Sequence, residues 1–115
     1  MSEKKYLVRR FDNIDPVDCP CGKARRAFAE QPDRLMSLHC VEISKDSRKH
    51  YHKYMTETYY VLSGTGVMEL DNDSAPLEPG VIVMIRPGCR HRAIGNVQIL
   101  NICIPAFDAG DEFED

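Results

Sequence analysis

Two of the four histidines of this chain stand two residues apart, in the stretch HYHKYMTETYY that begins at His50. On a β-strand, residues i and i+2 point to the same face, so His50 and His52 can converge on one point. Glu57 stands an odd number of residues after His52, and a single regular strand would turn it to the opposite face. A turn or bulge within the intervening KYMT is therefore required if Glu57 is to join the two imidazoles.

A fourth candidate ligand, His91, follows the turn signal Pro87-Gly88. Three neutral imidazoles and one carboxylate would form a mixed nitrogen and oxygen set that suits Fe(II), Mn(II), Ni(II), Zn(II) or Cu(II). Four protein ligands on an octahedral ion leave two positions for water, substrate or dioxygen. The alternative is a polar patch on a soluble strand, because an H-x-H pair alone is weak evidence for a metal site.

The segments that must position these residues have the pattern of short β-strands. Tyr, Val, Ile and Thr dominate runs separated by Gly, Pro and Asp, which is typical of a β-sandwich or barrel. The predicted strands are KYLVRRF, LMSLHCVEI, RKHYH, TETYYVLSG, TGVMELDN, VIVMIRP, HRAI and VQILNICIP. The turn signals between them are Ser63-Gly64, Asp71-Asn72-Asp73, Pro79-Gly80, Pro87-Gly88 and Gly95-Asn96.

Two segments fall outside the strand pattern. KARRAFAEQPD, from Lys23 to Asp33, predicts a short helix or turn that ends near Pro32. The acidic tail PAFDAGDEFED predicts a surface strap, with Phe107 and Phe113 as its anchors.

Both halves of the candidate metal site resemble motifs of the cupin superfamily, specifically of its small single-domain members. The first half is similar to G-x5-H-x-H-x(3,4)-E-x6-G, and the text YYVLSGTGVMEL is typical of the superfamily. The second half is similar to G-x5-P-x-G-x2-H-x3-N, and the resemblance covers roughly residues 37 to 105. The matching positions are His50, His52, Glu57 and Gly64 in the first motif and Gly80, Gly88 and His91 in the second.

Three positions depart from these motifs. The leading glycine of the first motif is replaced, since Lys45 stands five residues and Ser44 six residues before His50. Arg86 occupies the proline position of the second motif, with Pro87 one place later. Gly95 stands where asparagine is expected, and Asn96 follows it. None of these departures removes a ligand, so they concern the geometry of the loops rather than metal binding.

The resemblance implies an all-β jelly-roll barrel with a divalent transition metal inside it, held by His50, His52, Glu57 and His91. We expect one cupin domain over residues 1–115, with an arm over 1–36, a barrel core over about 37–105 and a tail over 106–115. Cupins of this size are often homodimers that pair N-terminal strands. KYLVRRF is the candidate for that pairing, because an unpaired strand edge needs cover.

Other side chains are assigned from the face that they should occupy. Tyr59 should share the face of Glu57 and is a candidate substrate ligand, with a core tyrosine as the alternative. His39 has no partner in the sequence, which favours a structural histidine over a ligand or a base in the pocket. Arg90 and Arg92, on either side of the fourth candidate ligand, should face the solvent.

Cys19 and Cys21, in DCPCGKARR, are the least explained feature of the sequence. The five cysteines lack framework spacing, which indicates mostly buried thiols in a reducing compartment, and C-x-C is not the thioredoxin-like spacing. Three interpretations of the pair remain open: a structural turn, a redox-sensitive pair, and an auxiliary metal or substrate contact. Nearby Lys and Arg residues would lower a thiol pKa if they are close in space.

Composition excludes several classes of function. A net charge of −3 and a pI of about 5.8 give no electrostatic case for binding nucleic acid or an anionic membrane. The longest apolar run, VIVMI, is too short to cross a bilayer, and MSEKKYLVRRF does not resemble a signal peptide. We therefore expect a cytoplasmic protein whose partner is a small molecule.

Two functions remain open at this point. The first is a metal-dependent enzyme of small-molecule metabolism, a dioxygenase or an isomerase that acts on a small oxygenated compound. The second is a non-catalytic module that senses or stores a small ligand in the same barrel. The superfamily resemblance does not separate them, because function does not follow from fold. The filled ligand positions favour the enzyme.

Overall fold

The computed structural model describes residues 4–114. Within them the chain forms seven β-strands and two single-turn 3₁₀ helices, Phe11–Asn13 and Ala109–Asp111. No helix in this range is both long and apolar enough to cross a membrane. The strands are β1 (Val17–Cys19), β2 (Gly22–Ala27), β3 (Ser37–Ile43), β4 (Thr56–Leu70), β5 (Asp73–Leu77), β6 (Ile82–Ile85) and β7 (His91–Ile104).

Every strand pair in the sheet is antiparallel, in the order β1-β2-β3-β7-β4-β5, with β6 paired to β4. β4 and β7 are 15 and 14 residues long and pair along their length. β6 pairs with the beginning of β4 and β5 pairs with its end. The all-β class predicted from the sequence is confirmed by this sheet.

The predicted breaks within β4 and β7 were wrong. TETYYVLSG and TGVMELDN form one strand, and HRAI and VQILNICIP form another. At the predicted turn Ser63-Gly64 the chain does not turn back, and the register of β4 against β7 shifts just before it, between Val61 and Ser63. Gly64 has a φ of +87°, and a Cβ there would lie 2.1 Å from the carbonyl oxygen of Asn96. Glycine next to this bulge therefore lets the two long strands pass close together.

The predicted helix in KARRAFAEQPD was also wrong, because its first half is strand β2 and only its second half is a turn. All six residues of β2 pair with β3. This pairing buries Ala24 and Ala27 and outweighs the helix propensity of Ala, Lys and Arg.

Three further boundaries differ from the prediction. KYLVRRF forms no strand, and its residues 5–10 are exposed, because no strand within residues 4–114 pairs with them. RKHYH contributes only isolated bridges at His50 and Tyr51. β5, between the predicted turns Asp71-Asn72-Asp73 and Pro79-Gly80, was not predicted; it contains Pro76, which an edge strand tolerates. Residues 1–3 of the predicted arm and residue 115 of the tail lie outside the described range.

The interior of the barrel changes from apolar to polar along the strands. One row of inward-facing neighbours on β2, β3, β7 and β4 is entirely apolar: Ala24, Val41, Ile99 and Val61. Two residues further along each strand, the next row consists of Arg26, His39, Asn101 and Tyr59, which we call the polar row. Beyond it lie Ser37, Cys103 and Glu57. Strand register alone therefore places a set of polar side chains inside the barrel.

Candidate metal centre

The structure brings the four predicted ligands together. The candidate ligand atoms of these residues all lie within 4.8 Å of one another. We call the four residues the metal cluster: His50, His52, Glu57 and His91. The backbones of His50 and His91 exchange two hydrogen bonds, of 3.0 and 2.8 Å. The N–H of Gly88 donates to the carbonyl of His52 at 2.8 Å. The His50 segment and the turn before β7 are thus bound to each other, beside Glu57 near the start of β4.

Hydrogen bonds to backbone carbonyls orient all three imidazoles. A carbonyl oxygen only accepts, so in each ring Nδ1 carries the proton, and a neutral ring then has its lone pair on Nε2. This tautomer is the one that metal-binding histidines adopt when a backbone group holds the other ring nitrogen. The acceptors are the carbonyls of Arg48 for His50 (3.0 Å), Asp111 for His52 (2.6 Å) and Cys89 for His91 (2.9 Å).

The contacts of Glu57 show that this set of residues fits a cation. The Nε2 atoms of His52 and His91 each lie 2.9 Å from Glu57 Oε1. In neutral rings the nitrogen lone pairs would face the lone pairs of the carboxylate oxygen, unless a cation or a proton lay between them. The His91 contact has hydrogen-bond geometry, whereas His52 Nε2 is buried with no such partner in residues 4–114. Ligands that share an ion lie about 3 to 4 Å apart. A divalent ion would satisfy all of these atoms.

Electrostatics keeps the carboxylate of Glu57 ionised. Burial alone would raise its pKa, but contacts with His52 and His91 outweigh burial and hold the pKa well below its usual range. Asn101 Nδ2 also donates to Glu57 Oε2 at 2.7 Å. Burial and the neighbouring His91 lower the pKa of His50. Burial also opposes charge on His52, yet the contact with Glu57 dominates and raises the pKa of that ring.

The turn required within KYMT is present, and a residue of the tail holds it. The chain bends at Lys53 and Tyr54. The carboxylate of Asp111 accepts hydrogen bonds from the backbone N–H groups of Lys53, Tyr54 and Met55, at 2.8, 3.2 and 3.1 Å. Since the carbonyl of Asp111 also binds His52 Nδ1, one buried residue fixes both the turn and a ligand.

Asp111 was missed because nothing in the sequence distinguishes it from the other acids of the tail. The predicted anchors do contact the barrel: Phe107 packs against His39 with ring centroids 5.5 Å apart, and Phe113 forms a bridge with Tyr51. The tail is nevertheless more than the surface strap that was predicted, because Asp111 is only 6% exposed.

A pocket of about 520 Å³ opens beside the candidate ligands. Its wall includes His50, His52 and Glu57, the whole polar row, and the pair Cys19 and Cys21. The polar row therefore faces the space in which a ligand of a bound metal would lie.

Tyr59 and His39 both line this pocket. Burial, and then the charge of Glu57, raise the pKa of Tyr59 well above its usual value, so its hydroxyl remains a donor. His39 is outside the metal cluster, as predicted, and its Nε2 lies 2.9 Å from Ser37 Oγ. Burial and Arg26 lower the pKa of His39 to about 4, so the ring is neutral near pH 7.

The two arginines beside His91 face away from the pocket, as predicted. The guanidinium of Arg90 lies 4.0 Å from the ring centroid of Tyr51. Arg92 Nε donates to Glu69 Oε1 at 2.7 Å on the outer surface of the sheet.

The cysteine pair forms the turn between β1 and β2. Cys19 and Gly22 are paired, which leaves Pro20 and Cys21 at the tip. The two Sγ atoms are 2.7 Å apart and line the pocket, outside the metal cluster. A turn with a substrate contact and a redox-sensitive pair are both consistent with this placement.

We expect Cys19 to be alkylated by iodoacetamide at a lower pH than Cys89, which is also partly exposed. The hydrogen bond from Cys21 stabilises the Cys19 thiolate and lowers its pKa to about 6, whereas burial and Asp71 raise the pKa of Cys89. The reactive fraction of Cys19 should therefore rise between roughly pH 5 and 7. Mass spectrometry of labelled peptides measures both profiles, and Cys21→Ala should move the Cys19 profile to higher pH. Identical profiles for Cys19 and Cys89 would contradict this assignment.

The fold and the cluster define a small antiparallel β-barrel protein with a three-histidine, one-glutamate site inside. Comparison with family models gives a match to the Cupin_2 model, a cupin domain, over residues 37–100. Because this match spans more than half of the sequence, the chain belongs to the cupin family.

Known proteins show the same likeness. The chain is 34% identical over 110 residues to the uncharacterized protein MJ1618 of Methanocaldococcus jannaschii, which covers 90% of this chain and 88% of that protein. A crystal structure of a protein from Planctomyces limnophilus is similar with a TM-score of 0.91 and 37% identity, covering 97% of this chain and 99% of that one. The nucleoside dehydratase Pac13 of Streptomyces matches with a TM-score of 0.83 and 19% identity, over 96% of this chain and 92% of that one, which shows the fold alone. The predicted cupin jelly roll is thereby confirmed.

Proposed function

We propose that this chain is a divalent-metal-dependent enzyme of small-molecule metabolism, with His50, His52, Glu57 and His91 as the ligands. The observation that carries the proposal is the orientation of the three imidazoles, each held at Nδ1 by a carbonyl while the Nε2 atoms surround a buried carboxylate. When bound, an ion of iron, manganese, nickel, zinc or copper would supply Lewis-acid polarisation of a substrate oxygen.

Of the two reaction classes left open by the sequence, we favour the isomerase. Tyr59 is a protonated donor and His39 is a neutral ring, and both line the pocket. They lie on opposite sides of Asn101 in the polar row. A donor and a neutral base on one wall suit proton transfer to and from a carbonyl or enol compound. Pac13 supports the enzyme over the binding module by analogy of fold only.

The experiment begins with metal analysis of protein purified without an affinity tag. The metal-loaded protein is then incubated in D₂O with small hydroxycarbonyl compounds, and deuterium incorporation is followed by NMR. Oxygen uptake by the Fe(II)-loaded protein is measured in parallel on catechols, diketones and thiols. Solvent exchange without oxygen uptake would support the isomerase, and oxygen uptake would favour the dioxygenase. Ligand binding with neither reaction would favour the non-catalytic sensing module.

We expect Tyr59→Phe to slow this exchange by roughly 100-fold or more, since a positioned acid contributes about 10²- to 10⁴-fold. The metal content should stay at the wild-type level, because Tyr59 is not a ligand. Tyr60→Phe is the matched control, since Tyr60 is the next residue on β4 and is 39% exposed. Unchanged exchange in Tyr59→Phe would remove this residue from the reaction.

The homodimer remains a prediction. In a single chain, the arm leaves apolar side chains in solvent, with Tyr6 67% and Val8 78% exposed. A second copy that pairs with this arm would cover them.

A further inference from the structure

We propose that Arg26 binds the carboxylate of the ligand, and that the pocket takes a small hydroxycarboxylic acid. This inference rests on the proposed function, because it assigns the pocket beside the metal cluster to a ligand. It adds the chemical class of that ligand and the residue that selects it.

A buried hydrogen-bond donor of Arg26 has no acceptor within residues 4–114. Its side chain lines the pocket, and its Nε is buried without a hydrogen-bond partner in residues 4–114. The guanidinium lies 4.4 Å from the ring centroid of Phe107. An aromatic face attracts the positive charge but accepts none of the in-plane hydrogen bonds of a guanidinium. Burying such donors without acceptors is unfavourable, and a ligand carboxylate would satisfy two of them at once.

Five carboxylates line the same pocket; Asp46 makes no ion pair within residues 4–114, and the other four have partners other than Arg26. Asp18 is paired with Lys23, and Glu114 Oε1 lies 3.3 Å from Arg48. Glu112 lies 4.0 Å from His50 Nε2. Glu57 is held by the metal cluster and Asn101. None of the ion pairs of residues 4–114 includes Arg26, so its guanidinium is available to pair with the carboxylate of a ligand.

The polar row indicates the size and the second functional group of the ligand. Arg26 and Asn101 are separated by two strand spacings, about 10 Å, with His39 between them. Asn101 Nδ2 binds Glu57, but Asn101 Oδ1 is buried without a partner among the described residues. This free acceptor suits a hydroxyl group. A ligand with a carboxylate at Arg26 and a hydroxyl at Asn101 would reach the metal cluster beside Glu57.

The test measures binding of D-glycerate, L-threonate and D-gluconate to the metal-loaded full chain by titration calorimetry. Each acid is paired with its own carboxamide, which has the same shape but no charge. The best acid should bind at least about tenfold more tightly than its amide, and Arg26→Gln should weaken that acid by about 10- to 100-fold. Arg26→Lys should restore part of the affinity, because the positive charge is kept.

Arg25→Gln is the matched control. Arg25 is the adjacent residue of β2, and its guanidinium donates to the carbonyls of Phe11 and Ile14 at 3.2 and 2.6 Å, away from the pocket. This variant should bind the acid as the wild type does, and metal content should be equal in every variant.

The possible results separate this inference from the metal assignment. Equal binding of acid and amide, wild-type affinity in Arg26→Gln, or no binding of any of the three acids would each overturn it. The comparison of acid with amide uses only the wild type, so it holds even if a variant does not fold. If the protein holds no metal but still binds an acid through Arg26, the metal assignment fails and the carboxylate site stands.

Discussion

His52→Ala and His91→Ala should each reduce bound metal to less than about one tenth of the wild-type content after dialysis, and His39→Ala should leave it near wild type. Each of the first two variants removes an Nε2 atom that lies 2.9 Å from Glu57 Oε1. Elemental analysis of the dialysed protein measures occupancy, and circular dichroism confirms that each variant is folded.

His39 is a suitable control because it is a buried histidine that lines the same pocket as the candidate ligands. It is 3% exposed and lines the same pocket, but its ring contacts Ser37 and Phe107 rather than Glu57. A general loss of packing would therefore affect all three variants. Equal loss of metal from the three would mean that the ligands have been assigned wrongly.

Asp111→Ala should lower the free energy of unfolding by about 3 kcal/mol and weaken metal binding by about 10- to 100-fold. The loss of stability follows from three buried or half-buried backbone N–H groups that lose a charged acceptor. The loss of metal affinity follows because the turn at Lys53 and Tyr54 relaxes, and with it the position of His52. Urea unfolding and competition with a chromogenic chelator measure the two effects.

Glu114→Ala provides the comparison within the same tail. Glu114 is exposed and makes a single ion pair with Arg48, so its removal should change stability by less than about 1 kcal/mol. Asp111→Asn, which keeps one acceptor oxygen, should lie between the two alanine variants. A loss of stability in Asp111→Ala with unchanged metal affinity would show that the tail supports the fold without positioning His52.

Three of the four candidate ligands could be predicted from local spacing, whereas His91 was assigned through the second cupin motif. His50 and His52 follow the two-residue period of a strand. Glu57 stands an odd number of residues after His52, so it could join them only through a bend, which the structure has at Lys53. The two-residue period of a strand also placed Tyr59 on the face of Glu57, and both side chains line the pocket.

The remaining wall of the site depends on contacts that no local pattern contains. Arg26 lies in a segment that was predicted as helix or turn, and it becomes inward-facing only through pairing with β3. Asn101 sits in an apolar run, and its meeting with Glu57 depends on the register between β7 and β4. Asp111 reaches across 59 positions to His52. Each depends on long-range pairing, which composition and periodicity do not specify.

The contact between the tail and His52 also sets an order of events during synthesis. A chain that grows from its N-terminus makes all four proposed metal ligands before it makes Asp111. Until then the turn at Lys53 lacks its acceptor and the ring of His52 lacks the carbonyl that fixes its tautomer. A nascent chain on the ribosome therefore has the proposed ligands without their geometry, and we expect tight metal binding only after the tail has been made.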